Sequence, residues 1–79
     1  MPTALFIGPY RFFFWSYDCD EPPHMHVQHD RMQAKFWLEP VRMANNHGFR
    51  DRELREIKRL IDENLEQLRS EWNEHCNGA

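Results

Sequence analysis

Glu21-Pro22-Pro23-His24-Met25-His26-Val27-Gln28-His29-Asp30-Arg31-Met32-Gln33-Ala34-Lys35-Phe36-Trp37-Leu38 is the stretch that decides the fold. Two prolines in succession hold its entry in extended backbone. His24–His29 and Met32–Leu38 then alternate apolar and polar side chains, the pattern of half-buried strands. Asp30-Arg31 is left between them as a two-residue turn, although this pair suits a type I′ turn poorly. That turn fixes the register. Val27 falls opposite Ala34 and Met25 opposite Phe36, giving one apolar face. His26 falls opposite Lys35, His24 opposite Trp37 and Gln28 opposite Gln33, giving a polar one.

Toward the N-terminus, Ala4-Leu5-Phe6-Ile7 predicts a short strand and Gly8-Pro9 a break. Tyr10 to Tyr17 predicts a second, aromatic strand holding Tyr10, Phe12, Phe13, Phe14, Trp15 and Tyr17. Tyr10, Phe12 and Phe14 share one side of it; Arg11, Phe13, Trp15 and Tyr17 share the other. Both sides are apolar, so each is expected to be covered, one by the chain's own helix. The other cover is left open among the end of the chain, a second subunit and a different protein.

Toward the C-terminus, Glu39-Pro40-Val41-Arg42-Met43 is expected to leave the sheet. Asn45-Asn46-His47-Gly48 reads as a turn or loop, with Gly48 at positive φ. Asp51 is the expected N-cap. Leu54, Ile57, Ile61, Leu65, Leu68, Trp72 and Cys76 recur at steps of three or four, one apolar stripe of a helix. The continuity predicts one long helix from Arg52 to about His75, with a break into two near Asp62-Glu63-Asn64 left open. The expected fold is α+β: an antiparallel sheet of about four strands (ββββα) and an amphipathic C-terminal helix. Residues 1–79 are expected to form a single domain, with the sheet in 1–43 and the helical portion in 51–76.

A chain of 79 residues buries only about 60% of the surface its unfolded form exposes, so its core is small. Cys19 and Cys76 form no metal-binding or redox motif; one disulfide is open to them, a dense framework is not. No signal peptide and no membrane span are expected, which makes the cytoplasm, with both thiols reduced, the default. Net charge is −3, with five basic and five acidic residues in 1–50 against five and eight in 51–79. There is no basic field for broad nucleic-acid binding, which leaves only a local basic site.

The candidate site is on the polar side of the hairpin. His24 and His26, at i and i+2, project from one face of a strand about 7 Å apart, close enough to meet one ligand. Imidazoles titrate near neutrality and serve as acid and base. Lys35 adds a cation that attracts phosphate, so the set has the groups needed to cleave a phosphodiester. Trp37 offers a stacking platform for a base. Arg11, a charge among aromatics, is a second candidate anion contact, or else it reaches to the sheet edge. His47 either joins the sheet or caps a loop carbonyl. Zinc wants three or four ligands and the pattern aligns only two, so no metal or other cofactor is assigned. Arg52, Arg55 and Arg59 face away from the apolar stripe and read as solvated.

In combination these residues resemble the bacterial family called domain of unknown function 4160. The resemblance runs through Met1-Pro2-Thr3, Phe6-Ile7-Gly8, Tyr10-Arg11-Phe12-Phe13-Phe14 and Glu21-Pro22-Pro23-His24-Met25-His26-Val27. It continues in Ala34-Lys35-Phe36-Trp37-Leu38, Asn46-His47-Gly48-Phe49, Glu53-Leu54-Arg55-Glu56-Ile57 and Trp72-Asn73. The link His29-Asp30-Arg31-Met32 departs from it, since the family often has a longer glycine-rich turn there. The resemblance implies a type II toxin–antitoxin setting, with this family as toxin and a small protein of the domain-of-unknown-function 2442 type as cognate antitoxin. It implies no catalytic residue set.

The expected function is therefore a toxin acting on RNA as a metal-independent, ribonuclease-like enzyme. His24 and His26 are its acid and base; Arg11, Lys35, Trp37 and His47 hold substrate. Two other readings stay open: a non-catalytic protein-interaction module, and a small metal-binding protein using His24 and His26. Oligomerisation is also left open.

Overall fold

The computed structural model describes residues 3–15 and 18–76. Its centre is the expected hairpin, at the expected register: His24 opposite Trp37, Met25 opposite Phe36, His26 opposite Lys35, Val27 opposite Ala34 and Gln28 opposite Gln33. Asp30 supplies the positive φ, 55°, that the two-residue turn requires. Short polar side chains tolerate that region better than most.

The strands are β1 (Thr3–Ile7), β2 (Tyr10–Phe13), β3 (His24–His29), β4 (Met32–Leu38) and β5 (Val41–His47), followed by helices α1 (Asp51–Glu63) and α2 (Leu65–Cys76). The five strands pair antiparallel in chain order, β1-β2-β3-β4-β5. The sheet thus has one strand more than expected. β5 was hidden by its composition: Ala44-Asn45-Asn46-His47 has low strand propensity, and propensity yields to pairing context. Glu39 and Pro40 form the whole connection, so Val41 turns straight back onto Leu38 and Arg42 onto Trp37. β2 is shorter than expected, ending at Phe13; Tyr17 lies outside the described residues.

One face of the sheet and the apolar stripe of the helices make the core. Tyr10, Phe12, Met25, Val27, Ala34, Phe36 and Leu38 meet Ile57, Leu60, Ile61, Leu68 and Trp72. Leu54, Leu65 and Cys76 flank them. The stripe is as the spacing predicts, but its carrier is broken at Asn64. There the backbone N–H donates to Leu60 and Ile61 oxygens at 3.1 and 3.2 Å, and the side-chain amide donates to Leu60 O at 2.8 Å. The N-cap is Arg50 rather than Asp51; Glu53 Oε1 accepts its N–H at 3.0 Å, and Asp51 and Glu53 both favour the helix N-terminus electrostatically.

Two side-chain links fix how the helices meet the sheet. Asn46 spans the β5–α1 corner: its amide donates to Phe49 O at 2.9 Å, and its oxygen accepts the Phe49 N–H at 3.0 Å. Gly48, at φ 104°, makes the bend there. At the far end, Cys19 and Cys76 are joined in a disulfide. The expected free thiols are thus paired: 57 positions of sequence separate them, yet the turn before β3 and the end of α2 bring them together. No helix among the described residues is long and apolar enough to cross a membrane.

Candidate functional site

The pairing register sorts the polar face into three cross-strand rows, since directly opposed residues share a side of the sheet. Arg11, Gln28, Gln33 and His47 form the first. Phe13, His26, Lys35 and Asn45 form the second, and His24, Trp37 and Arg42 the third. Arg11, His24, His26, Lys35, Trp37 and His47 therefore lie on one face. The helices bury their stripe against the opposite one.

Phe13 on this face is only 1% exposed, and its cover comes from the chain itself. The Arg11 guanidinium lies 4.6 Å over its ring centroid, His26 stacks on it at 5.3 Å, and Trp15 meets it edge-on at 5.8 Å. Arg11 also donates to Gln28 Oε1 at 3.4 Å. The second apolar side of β2 thus needs no outside partner at Phe13.

The third-row end of the face is closed by a short 3-10 turn, Asp18–Asp20, that places one carboxylate against both histidines. Asp18 Oδ2 accepts the Trp15 N–H at 2.8 Å. It lies 3.0 Å from His26 Nε2 and 3.2 Å from His24 Nε2. Burial alone would push the Asp18 carboxyl upward. The Trp15 N–H and the two imidazoles outweigh it, and the group sits below the usual carboxylate range. Asp18 is the member that sequence patterning missed. It precedes a Pro-Pro loop, and no periodicity links it to a strand position six residues later. The surviving signal was its presence in an acidic run, Asp18-Cys19-Asp20-Glu21, immediately before the His-x-His strand.

The two histidines differ sharply. His24 has a side chain 0% exposed, with its ring centroid 4.9 Å from that of Trp72, 5.7 Å from Trp37 and 5.2 Å from His26. Its Nδ1 is 3.0 Å from the Pro22 carbonyl oxygen, which can only accept, so the ring proton is on Nδ1. Its Nε2 is buried and, despite the nearby Asp18 oxygen, is not aligned for a hydrogen bond. His26 keeps 20% of its side chain exposed. Burial lowers its pKa, more than the Asp18 carboxylate raises it, so its neutral form is favoured.

Lys35 stands beside His26, its ammonium ion-paired to Glu21 and 4.6 Å above the Trp37 ring. The ammonium bond, the largest influence on Glu21, holds that carboxyl below its usual range. His47 is exposed on β5, in the row farthest from Asp18 and His24. The arrangement offers a cationic and aromatic surface with an Asp–His–His cluster at one end.

No curated protein and no solved structure matches the chain. A family model described as Domain of unknown function (DUF4160) matches residues 10–73, a span that holds every residue of the rows and the cluster. The chain belongs to that family.

Proposed function

We propose that the chain binds single-stranded RNA across the polar face of its sheet and acts on it at the Asp18–His26 end. The observation that supports this is the set of three rows. Cations (Arg11, Lys35, Arg42) and side-chain amides (Gln28, Gln33, Asn45) share the sheet face that carries Trp37, with Lys35 over its ring and Arg42 opposite it. A sheet that presents aromatics between basic groups suits unpaired bases, which stack on rings while phosphates meet the cations. The acidic excess lies in the helical half of the sequence, so attraction is local to the face. His26 is the imidazole substrate can reach. His24 lies behind it and acts through Asp18.

The toxin–antitoxin setting belongs to the same proposal. An antitoxin has somewhere to dock: β1 and β5 are open sheet edges, and Phe6 and Met43 on them are 68% and 44% exposed. These same two residues favour the second reading, a protein-interaction module without chemistry of its own.

Fluorescence anisotropy with a labelled single-stranded RNA tests the first reading. Saturable binding that drops at least tenfold on Trp37→Ala and on Lys35→Glu is expected. Binding no stronger than to a polyanion of equal charge, or indifferent to both substitutions, removes it. RNA bound but uncut, together with unchanged growth on expression of the chain alone, selects the interaction module.

A further inference from the structure

We propose that Asp18, His24 and His26 form a binding site for one divalent transition-metal ion of the zinc class. The carrying observation is His24 Nε2, fully buried and with no hydrogen-bond partner among the described residues. The Nδ1 proton is committed to the Pro22 carbonyl, so Nε2 presents a bare lone pair. An Asp18 oxygen, itself electron-rich, lies 3.2 Å away but off the line of that nitrogen. A buried nitrogen beside a carboxylate calls for a positive charge, a proton on Nε2 or a metal ion; a proton there would have no aligned acceptor, whereas an ion can be shared by both groups.

The spacing suits such an ion. Ligands bound to zinc at about 2.0–2.1 Å in a tetrahedron sit about 3.3 Å from one another. The Asp18 oxygen is 3.0 Å from His26 Nε2 and 3.2 Å from His24 Nε2, close to that spacing; all three ligand atoms lie within 4.8 Å of one another, so the two imidazoles would draw together around a bound ion. Imidazole nitrogen with carboxylate oxygen is a donor set of that metal class.

The surroundings are those of a held ligand set. A backbone carbonyl on the far nitrogen of His24 fixes its tautomer and aims Nε2 inward, the usual outer contact of a metal-bound histidine. The Trp15 N–H steadies Asp18, and the Phe13 ring steadies His26. Three protein ligands leave a fourth position open, as in catalytic rather than structural zinc sites. Of the three ligands His26 is the most exposed, at 20% of its side chain. The site stands independently of RNA binding by the sheet face.

The test is titration of the metal-stripped, disulfide-intact chain with zinc by calorimetry and with cobalt(II) by visible absorption. One ion per chain and an intense tetrahedral cobalt spectrum are expected. Asp18→Asn and His26→Ala are expected to weaken binding at least about tenfold. His47→Ala, on the same face but outside the cluster, should leave it unchanged, and circular dichroism shows whether each variant is folded. A Cys19→Ser/Cys76→Ser variant that still takes up one ion per chain, with a smaller loss than Asp18→Asn, shows that no thiol is a ligand. Absence of a saturable single site, or equal binding by the folded Asp18 and His26 variants, overturns the proposal. Metal binding without RNA binding would refute the RNA reading alone, and RNA binding by a chain that takes no metal would refute the site alone.

Discussion

Severing the Cys19–Cys76 bond is expected to cost this chain most of its stability. The bridge joins residues 57 positions apart, so it removes a large loop from the unfolded ensemble. The loop-entropy relation puts that at about 4 kcal/mol near 25 °C. A domain of this size has a total stability of only about 5–10 kcal/mol, and each kcal/mol moves Tm by roughly 4–8 °C. A fall in Tm on the order of 20 °C should follow either a reductant or the Cys19→Ser/Cys76→Ser pair. The assay is thermal denaturation followed by far-ultraviolet circular dichroism, with and without reductant. The double-serine variant should melt at the same lowered temperature in both buffers. A shift below about 5 °C in the parent would refute the reasoning: the two ends would then be held by packing alone, and the bridge would constrain nothing. Position adds a second consequence. Cys19 adjoins Asp18, so cutting the bond frees the turn that sets the carboxylate against the histidines, and metal affinity should fall less than on Asp18→Asn.

The other expectations follow from burial and bonding at single residues. His24→Ala removes a fully buried ring and should destabilise by about 3 kcal/mol, as large-to-small core substitutions do. His26→Ala, partly exposed, should cost about 1 kcal/mol; urea denaturation separates the two, and equal costs would mean that His24 is not the buried member. Asn46→Ala loses both bonds to the Phe49 backbone and should cost about 1–3 kcal/mol by the same measurement. Arg11→Glu with Lys35→Glu should weaken RNA binding at low salt far more than at high salt, because screening removes the contribution those charges make. A salt-independent loss would assign them a packing role instead.

The hairpin was legible because two constraints agreed. Alternation assigned the faces, and a two-residue turn admits one register, so each His24–Trp37 or His26–Lys35 pair followed without knowledge of anything distant. The helical stripe was legible for the same reason, since Leu54 to Cys76 keep one period throughout. The strand at Val41–His47 was not. Its asparagines have turn-like preferences, and what overrides them is the ladder offered by β4, a tertiary fact absent from the local sequence. The Asn64 break was visible as an alternative only; the side chain that competes for the Leu60 carbonyl is a local feature, but whether it wins depends on how the helices meet the sheet.

The same division runs through the site. His24, His26, Lys35 and Trp37 could be placed together because a strand period carries them. Asp18 and Cys19 could not, because they sit on a turn whose position is set by the far end of the chain, through Cys76. The difference between the two histidines belongs with them. Alternation gives both the same face, but that face is closed at one end, where the Asp18 turn and Trp72 enclose His24 and leave His26 partly open. Sequence periodicity therefore locates the surface. The loop that the disulfide holds decides which of its groups meets solvent and which has its lone pair turned inward.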